Sequence, residues 1–168
     1  MSTTPMNEKV CLITGATTGI GAVTARELAR MGATVVGIGR NSDRCAARER
    51  EIQSQTGNQN VRYLVADLSS QAQVRDVAAT FLAEYPSLHV LVNNVGGLFP
   101  TIQRSADGIE LTLALNHLAP FLLTHLLLDR IKASAPARIV VVSSNAHVGA
   151  TVDFDHLQGP PGAGGFRT

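Results

Sequence analysis

The sequence contains no tryptophan, only two tyrosines and only two cysteines among its 168 residues. Cys11 and Cys45 fall on different predicted elements, which excludes a disulfide-rich secreted scaffold and predicts free buried thiols in a reducing compartment. Charged residues make up 16% of the chain and the net charge is +1, so no basic surface for nucleic acid is indicated. What remains is the composition of a soluble globular protein, with 45% apolar residues.

Long hydrophobic runs are also scarce. The longest, from Leu118 to Leu128, is interrupted by Pro120 and is too short to span a bilayer. The N-terminus carries no apolar stretch, so we expect no secretory signal. A chain of this length fits one domain, and we expect residues 1–168 to form a single cytoplasmic domain without a membrane span.

Short β-branched runs alternate with segments of helical period, which is the pattern of βαβ units. The predicted strands are Val10 to Ile13, Thr34 to Ile38, Val61 to Val65, Val90 to Val92 and Ile139 to Val142. The predicted helices are Ile20 to Met31, Ser42 to Ser54, Gln71 to Glu84 and Ala106 to Ala133. Right-handed crossovers would place these helices on both faces of a doubly wound parallel sheet, the α/β class of the Rossmann fold.

A glycine-rich turn separates the first strand from the first helix. Gly15, Gly19 and Gly21 follow the spacing Gly-x3-Gly-x-Gly, with Thr17, Thr18 and Ile20 between them. Glycine permits a tight turn and a close backbone approach, and the following helix N-terminus attracts a phosphate. These residues predict a dinucleotide pyrophosphate site; the alternative is that the glycines serve only packing.

The end of the second strand distinguishes the two nicotinamide dinucleotides. An acid there would bind the ribose hydroxyls, whereas a basic residue would pair with the additional 2′-phosphate of NADP. This chain has Arg40 followed by Asn41 and no acid, and a guanidinium binds phosphate through two parallel hydrogen bonds. NADP is therefore predicted, NAD being less favoured; otherwise Arg40 is a solvated surface side chain.

The segment after the fourth strand contains a proline within a predicted helix. Pro120 has no N–H, so the main-chain carbonyl of Asn116 loses its helical partner and needs another donor, commonly a water molecule. A simple kink of the helix is the alternative interpretation.

A serine pair, Ser143 and Ser144, ends the fifth strand at the sheet edge where parallel sheets place their active sites. The alternative is a polar cap on the strand. The five histidines show no spacing typical of a metal site, so no metal is predicted.

Taken in order, Thr14 to Gly21, Asp67-Leu68, Asn93 to Gly96, Asn116 and Ser143-Ser144 resemble the short-chain dehydrogenase/reductase family. The resemblance implies that Asp67, with Leu68, contacts the adenine, although Asp67 also suits a helix N-cap. It implies that Asn94, Val95 and Gly96 border the cofactor ribose.

The same resemblance implies two catalytic residues and a reaction. Asn116 would hold a water of the proton relay through its main chain, and Ser144 would bind the oxygen of a carbonyl or secondary alcohol. In the family a Tyr-x-x-x-Lys motif supplies the proton donor. Here Tyr63 is followed four residues later by Asp67 and Tyr85 by His89, so the sequence contains no such motif.

Two further segments, Asp107 to Thr124 and Ser134 to Val140, resemble a narrower branch, the retinol dehydrogenase-like and WW-domain oxidoreductase-like members. Spacing in that branch would place the tyrosine immediately after Thr168, so we expect a chain truncated before its catalytic motif, with a homodimer possible for a longer form. The fifth strand would then be an exposed apolar edge.

Two alternatives of other classes remain open. One is a non-catalytic NADP-binding or interaction protein derived from the same family. The other is a methyltransferase on a similar sheet, which Arg40 and the family motifs disfavour.

Overall fold

The computed structural model describes residues 5–149 and 151–159 and contains five strands with helices between them. The strands are β1 (Val10–Thr14), β2 (Thr34–Gly39), β3 (Val61–Val65), β4 (Val90–Asn93) and β5 (Arg138–Val141). The helices are α1 (Gly19–Arg30), α2 (Ser42–Thr56), α3 (Gln71–Glu84), α4 (Leu111–Leu113) and α5 (Ala119–Ala133), with a π-helical turn (Ala114–Leu118) joining α4 to α5. Short 3-10 turns follow at Asn145–His147 and Phe154–His156.

All strand pairs are parallel and the order across the sheet is β3-β2-β1-β4-β5. The order reverses between β1 and β4, because the chain first builds outward to β3 and then crosses back. At that reversal the loops leave the sheet in opposite directions and open a crevice at the carboxyl ends of the strands. The predicted doubly wound sheet is confirmed.

Each face of the sheet carries its own hydrophobic core. Alternate strand residues such as Leu12 and Val36 pack with α3 and α5 on one face. Their neighbours Ile13 and Val35 pack with α1 and α2 on the other. This is why the central strands are almost continuously apolar: both faces are covered.

The fourth predicted helix starts later than its sequence pattern indicates. Residues 106–110 form a turn in which Gly108 has φ +74°, and the helix begins at Leu111. Glu110 caps it, since its carboxylate accepts hydrogen bonds from the amides of Thr112 and Leu113 at 2.9 and 2.8 Å. The prediction of helix from Ala106 was wrong because the turn and cap end the helical period there.

The strand β5 is the outer strand of the described sheet beside β4, and all four of its residues are exposed. Ile139, Val140 and Val141 are 42%, 44% and 64% exposed. This confirms the predicted apolar edge within the part of the chain that the structure describes.

The continuous helix from Leu111 to Ala133 is longer than the apolar run visible in the sequence. By length and composition alone this 23-residue helix could cross a membrane. Its residues Leu123, Leu127 and Ile131, however, are buried in the core beside α3. Core helices of globular proteins pass the same test when they are mostly buried, whereas only 22% of the most apolar part of this helix is buried.

Candidate functional site

A cleft of about 680 Å³ opens at the carboxyl ends of β1, β2 and β4, where the strand order reverses. Most of the residues that the sequence singled out lie on its wall. They are Gly15, Thr17, Thr18, Ile20, Arg40, Asp67, Leu68, Asn94, Val95 and Gly96. The topology thus brings together motifs that lie as far apart in the sequence as Gly15 and Gly96.

The glycine turn forms one wall of the cleft. Gly15 and Gly19 have positive φ values of 64° and 55°, a backbone conformation that residues with a side chain rarely adopt. A Cβ atom at Gly21 would lie only 2.4 Å from the carbonyl oxygen of Gly15 and 2.4 Å from Nδ2 of Asn94. Gly21 therefore lies beneath the turn and lets helix α1 start close against it.

Thr14 joins this turn to the segment after β4. Its side chain is 1% exposed, and its hydroxyl oxygen accepts hydrogen bonds from the amides of Asn94 and Val95, both at 2.9 Å. In return, Nδ2 of Asn94 donates to the carbonyl oxygens of Thr14 and Gly15 at 2.9 and 3.3 Å. The two central loops are held in fixed register by these reciprocal bonds.

Helix α1 begins differently from its neighbours. Thr18, its N-cap residue, makes no side-chain capping bond, whereas Asn41 and Ser70 cap α2 and α3 through their side chains. The first amides of a helix lack intrahelical acceptors, and the helix dipole makes this end attractive to anions. The uncapped end of α1 is on the cleft, since Thr17, Thr18 and Ile20 line it.

Arg40 extends from the end of β2 at the cleft and is exposed. Within the described residues its guanidinium has no hydrogen-bond or ion-pair partner. Asn41, predicted to bind the cofactor with Arg40, is not on the cleft wall. Its Oδ1 accepts a hydrogen bond from the amide of Arg44 at 2.9 Å and so caps α2. No carboxylate occupies either position.

Asp67 and Leu68 close the cleft beyond β3. The Asp67 carboxylate accepts hydrogen bonds through Oδ1 from the amide and hydroxyl of Ser69, at 3.0 and 2.8 Å. The N-cap of α3 is Ser70, so the predicted alternative of Asp67 as N-cap was wrong. Leu68 is buried and belongs to the core.

The segment after β4 contributes exposed backbone to the cleft wall at Gly96. At Gly96 a Cβ atom would meet only Oδ1 of Asn116, at 3.5 Å, so the backbone borders open space. Asn93 instead faces α5, where its Nδ2 donates to the hydroxyl of Thr124 at 3.0 Å. Its Oδ1 is buried without a partner among the described residues.

The cleft, taken as a whole, fits a dinucleotide on its own geometry. The glycines have no side chains, so the backbone of the turn can approach a pyrophosphate closely. The uncapped N-terminus of α1 supplies amide donors for the same phosphates. The free guanidinium of Arg40 adds positive charge at the far rim.

Asn116 lies at the π-helical turn and outside the cleft wall itself. Its side chain holds Gly97 on both sides, because Oδ1 accepts from the Gly97 amide and Nδ2 donates to the Gly97 carbonyl, each at 2.9 Å. The helix widens here: the amide of Ala119 bonds to the carbonyl of Ala114, five residues back. Pro120 supplies no amide for Asn116, so the main-chain carbonyl predicted to be free has no partner at the usual position.

Ser144 lies three residues beyond the end of β5 and is exposed. Its carbonyl oxygen contacts the ring Nδ1 of His147 and accepts from the His147 amide at 3.4 Å. It is not part of the cleft wall, although Val142 is. The structure therefore does not bring Ser144 and Asn116 onto the surface that carries the glycine turn.

No group of histidine, cysteine or carboxylate side chains suited to a metal ion occurs among the described residues. Both cysteines are free and buried, and burial raises the pKa of Cys11 to about 12. A thiol that stays protonated is a poor nucleophile and a poor metal ligand.

Sequence reasoning missed the cleft residues that lie in the loop after β4, in α4 and in the π-helical turn. These are Gly97, Leu98, Phe99, Arg104, Ser105, Ala106, Leu111 and Leu115. Their loop has no periodicity to reveal it. It also missed Tyr63 and Arg48, which contact the glycine turn from behind.

Comparisons with known proteins agree with this geometry. Residues 9–153 match the family model described as short chain dehydrogenase. Retinol dehydrogenase 11 of Homo sapiens is 48% identical over 94% of this chain and 50% of its own length. Retinol dehydrogenase 12 of Bos taurus is 50% identical over 90% of this chain and 48% of its own length.

A solved structure shows the same architecture. The chain superposes with a TM-score of 0.78 on a short chain dehydrogenase from Escherichia coli CFT073 complexed with NADPH. The two are 27% identical, and the match covers 90% of this chain and 65% of that one. The chain spans about half the length of the curated relatives it matches.

Motifs, strand order and matches point to one assignment: the chain belongs to the short-chain dehydrogenase family of nicotinamide-dependent oxidoreductases, in its retinol dehydrogenase-like branch.

Proposed function

We propose that this chain is the coenzyme-binding part of an NADP-preferring oxidoreductase. The observation that supports NADP is the free guanidinium of Arg40 on the cleft, at the position where a carboxylate would select NAD. The solved relative from Escherichia coli was crystallised with NADPH, which is consistent with the proposal.

The chain's own residues divide the binding task. The amides of the glycine turn and of the start of α1 would hold the pyrophosphate, and Arg40 would hold the 2′-phosphate. The remaining oxygen of Asp67 would accept from the adenine amino group, and the backbone at Gly96 would lie against the ribose. When bound, the coenzyme supplies the hydride that is exchanged with a carbonyl or secondary alcohol.

The catalytic half of the proposal rests on two residues. Ser144 would bind the reacting oxygen, and the Asn116 carbonyl would hold a water that passes the proton. Since the sequence has no Tyr-x-x-x-Lys, we propose that turnover requires a proton donor from a longer form. Binding of NADPH without turnover is the result expected of this chain alone, and it also describes the alternative of a non-catalytic NADP-binding protein.

The proposal also covers the class of substrate and the cellular compartment. Leu98, Phe99 and Leu111 contribute apolar side chains to the cleft, beside the polar Arg104 and Ser105, and the curated relatives are named retinol dehydrogenases. Both observations support an apolar carbonyl or alcohol as substrate. Buried free thiols support a reducing cytoplasm, and the buried face of the Leu111–Ala133 helix supports a core helix without membrane insertion.

The test removes the charge of Arg40 and compares the binding of NADPH with that of NADH. Arg40→Ala should weaken NADPH binding about 10- to 100-fold, since a charge-assisted phosphate contact is lost, and should change NADH binding less than about threefold. Arg50→Ala serves as the control because Arg50 is exposed and outside the cleft. Dissociation constants for NADPH and NADH, measured by nucleotide fluorescence, check this prediction. Equal losses of affinity for both nucleotides would refute the assignment of Arg40 to the 2′-phosphate.

A further inference from the structure

Four consecutive carbonyl oxygens of the glycine turn are each bound by a side chain from elsewhere in the fold. Asn94, from the loop after β4, donates to the carbonyls of Thr14 and Gly15. The hydroxyl of Tyr63 donates to the carbonyl of Ala16 at 2.8 Å, and Nε of Arg48 donates to that of Thr17 at 3.2 Å. The turn is therefore clamped on its outer side by three separate elements of the fold.

Tyr63 reaches the turn from β3 by crossing the neighbouring strand. A Cβ atom at Gly37 of β2 would lie 2.4 Å from Cε1 of Tyr63, so this glycine makes room for the ring. The side chain is 7% exposed, and burial raises the pKa of its hydroxyl. The phenol is thus a permanent hydrogen-bond donor at physiological pH.

Arg48 reaches the same turn from α2. Its Nη1 pairs with the carboxylate of Glu51 at 2.8 Å, which orients the guanidinium. The side chain of Thr17 packs closely over β2, because a Cβ atom at Gly39 would lie 2.5 Å from its Cγ2. Thr17 is therefore in contact with both the end of β2 and the middle of α2.

The peptide plane connects these bonds to the cleft. A carbonyl oxygen and the N–H of the next residue lie in one rigid plane and point in opposite directions. Fixing the carbonyls of Ala16 and Thr17 therefore fixes the amides of Thr17 and Thr18, both of which line the cleft. Without these bonds each plane could rotate, and the donors would have to be ordered again when an anion binds.

We propose that Tyr63 and Arg48 are positioning residues that hold the glycine turn so that its amides face the coenzyme pyrophosphate. The proposal rests on the proposed function for the identity of the ligand, while the orientation of the turn belongs to the free protein. Neither side chain lines the cleft, so each acts through the backbone and not by touching the nucleotide.

The first experiment measures binding of two ligands. In Tyr63→Phe and Arg48→Gln, we expect NADPH affinity to fall about three- to tenfold each, the range for loss of a single hydrogen bond. Adenosine 2′-monophosphate, which has no pyrophosphate, should bind each variant within about twofold of the unsubstituted chain. A role confined to general stability would weaken both ligands in parallel and would overturn the proposal, as would unchanged NADPH affinity.

Two matched variants separate the contacts. Tyr85→Phe removes the other tyrosine hydroxyl, on a ring that stacks on Phe81 away from the turn. Glu51→Gln removes the charge beside Arg48 but keeps an amide oxygen that can accept the hydrogen bond from Nη1, so the guanidinium can stay oriented toward the Thr17 carbonyl. We expect both controls to bind NADPH within about twofold of the unsubstituted chain.

The second experiment needs no nucleotide. Backbone order parameters from ¹⁵N relaxation of the free protein should fall at Thr17 and Thr18 in Tyr63→Phe and Arg48→Gln, and should not change in Tyr85→Phe. Unchanged order in both variants would overturn the positioning role whatever the chain binds. Failure of the unsubstituted chain to bind NADPH would instead refute the proposed function, while loss of order in the variants would still support a clamped turn.

Discussion

The proposed coenzyme-binding half and the proposed catalytic half of this site are built differently, although both stand on the same sheet. On the coenzyme side, β1 has all five residues buried and its following turn is bound by side chains from β3, α2 and the β4 loop. On the catalytic side, β5 has all four residues exposed, and Ser144 lies on an exposed segment beyond it. Among the described residues, the turn after β1 is bound by side chains from three elements, whereas β5 pairs with β4 alone.

This difference shows where preorganisation is located in the described part of the chain. The coenzyme half can present its amides without further ordering, because its glycine turn is bound by side chains from β3, α2 and the loop after β4. The catalytic half has a free strand edge and an apolar surface that a sheet normally covers. We therefore expect substitutions of the same kind to have unequal effects in the two halves.

The largest expected contrast is between two isoleucines. Ile13 of β1 is fully buried, so Ile13→Ala should lower the free energy of unfolding by about 2–5 kcal/mol through lost burial and a cavity. Ile139 of β5 is 42% exposed, and Ile139→Ala should cost at most about 1 kcal/mol. Urea unfolding followed by circular dichroism measures both. Equal costs would mean that β5 is covered in solution.

The next contrast is between two asparagines that both bind backbone across a loop. Asn94→Ala leaves the carbonyls of Thr14 and Gly15 without that donor in a partly buried site, and should cost about 1–3 kcal/mol. Asn116 holds Gly97 at an exposed site, where water can replace it, so Asn116→Ala should cost about 0.5–1 kcal/mol. The same unfolding measurement ranks them. A larger loss for Asn116→Ala would reverse the assignment of the rigid half.

The smallest expected effect depends on pH and concerns the start of helix α4. Burial of Glu110 opposes its ionisation, but hydrogen bonds from the amides of Thr112 and Leu113 outweigh this and hold its pKa below the usual 4.5. Because the folded-state pKa is lowered, its contribution is present above pH 4.5 and is lost as the pH falls through the lowered value.

Glu110→Gln should therefore be about 0.5–1 kcal/mol less stable than the unsubstituted chain at pH 7, and the gap should close in acid. Glu84→Gln, which removes an exposed carboxylate at a distance from α4, is the matched control. A gap for Glu110→Gln that persists in acid would show that its carboxylate does not act as a charged cap.

Much of the fold was predictable because local pattern and global packing agree. Buried parallel strands have to be apolar on both faces, and the segment Val61–Val65 matched its predicted bounds, as did helix Gln71–Glu84. The helix predicted from Ala106 failed because Gly108 adopts a positive φ and Glu110 provides the cap, features that a periodicity count does not register.

The site was predictable to a similar degree. The glycine turn and Arg40 were predicted from glycine freedom and charge, and Asn94 from the family resemblance; the structure places all three at the cleft. Tyr63 and Arg48 could not be found, since their role depends on which strand and helix happen to lie behind the turn. The local hint in the sequence is Gly37 within β2, because a side chain at this position would clash with the ring of Tyr63.

The sequence by itself determined the family, the class of fold and the residues suited to a dinucleotide, because each depends on residue type and spacing along the chain. The tertiary structure decided which backbone groups those residues hold, with Tyr63 on the carbonyl of Ala16 and Arg48 on that of Thr17. Hydrogen bonds between residues 31 to 47 positions apart exist only after the sheet has formed, and their direction depends on peptide planes that no sequence pattern encodes.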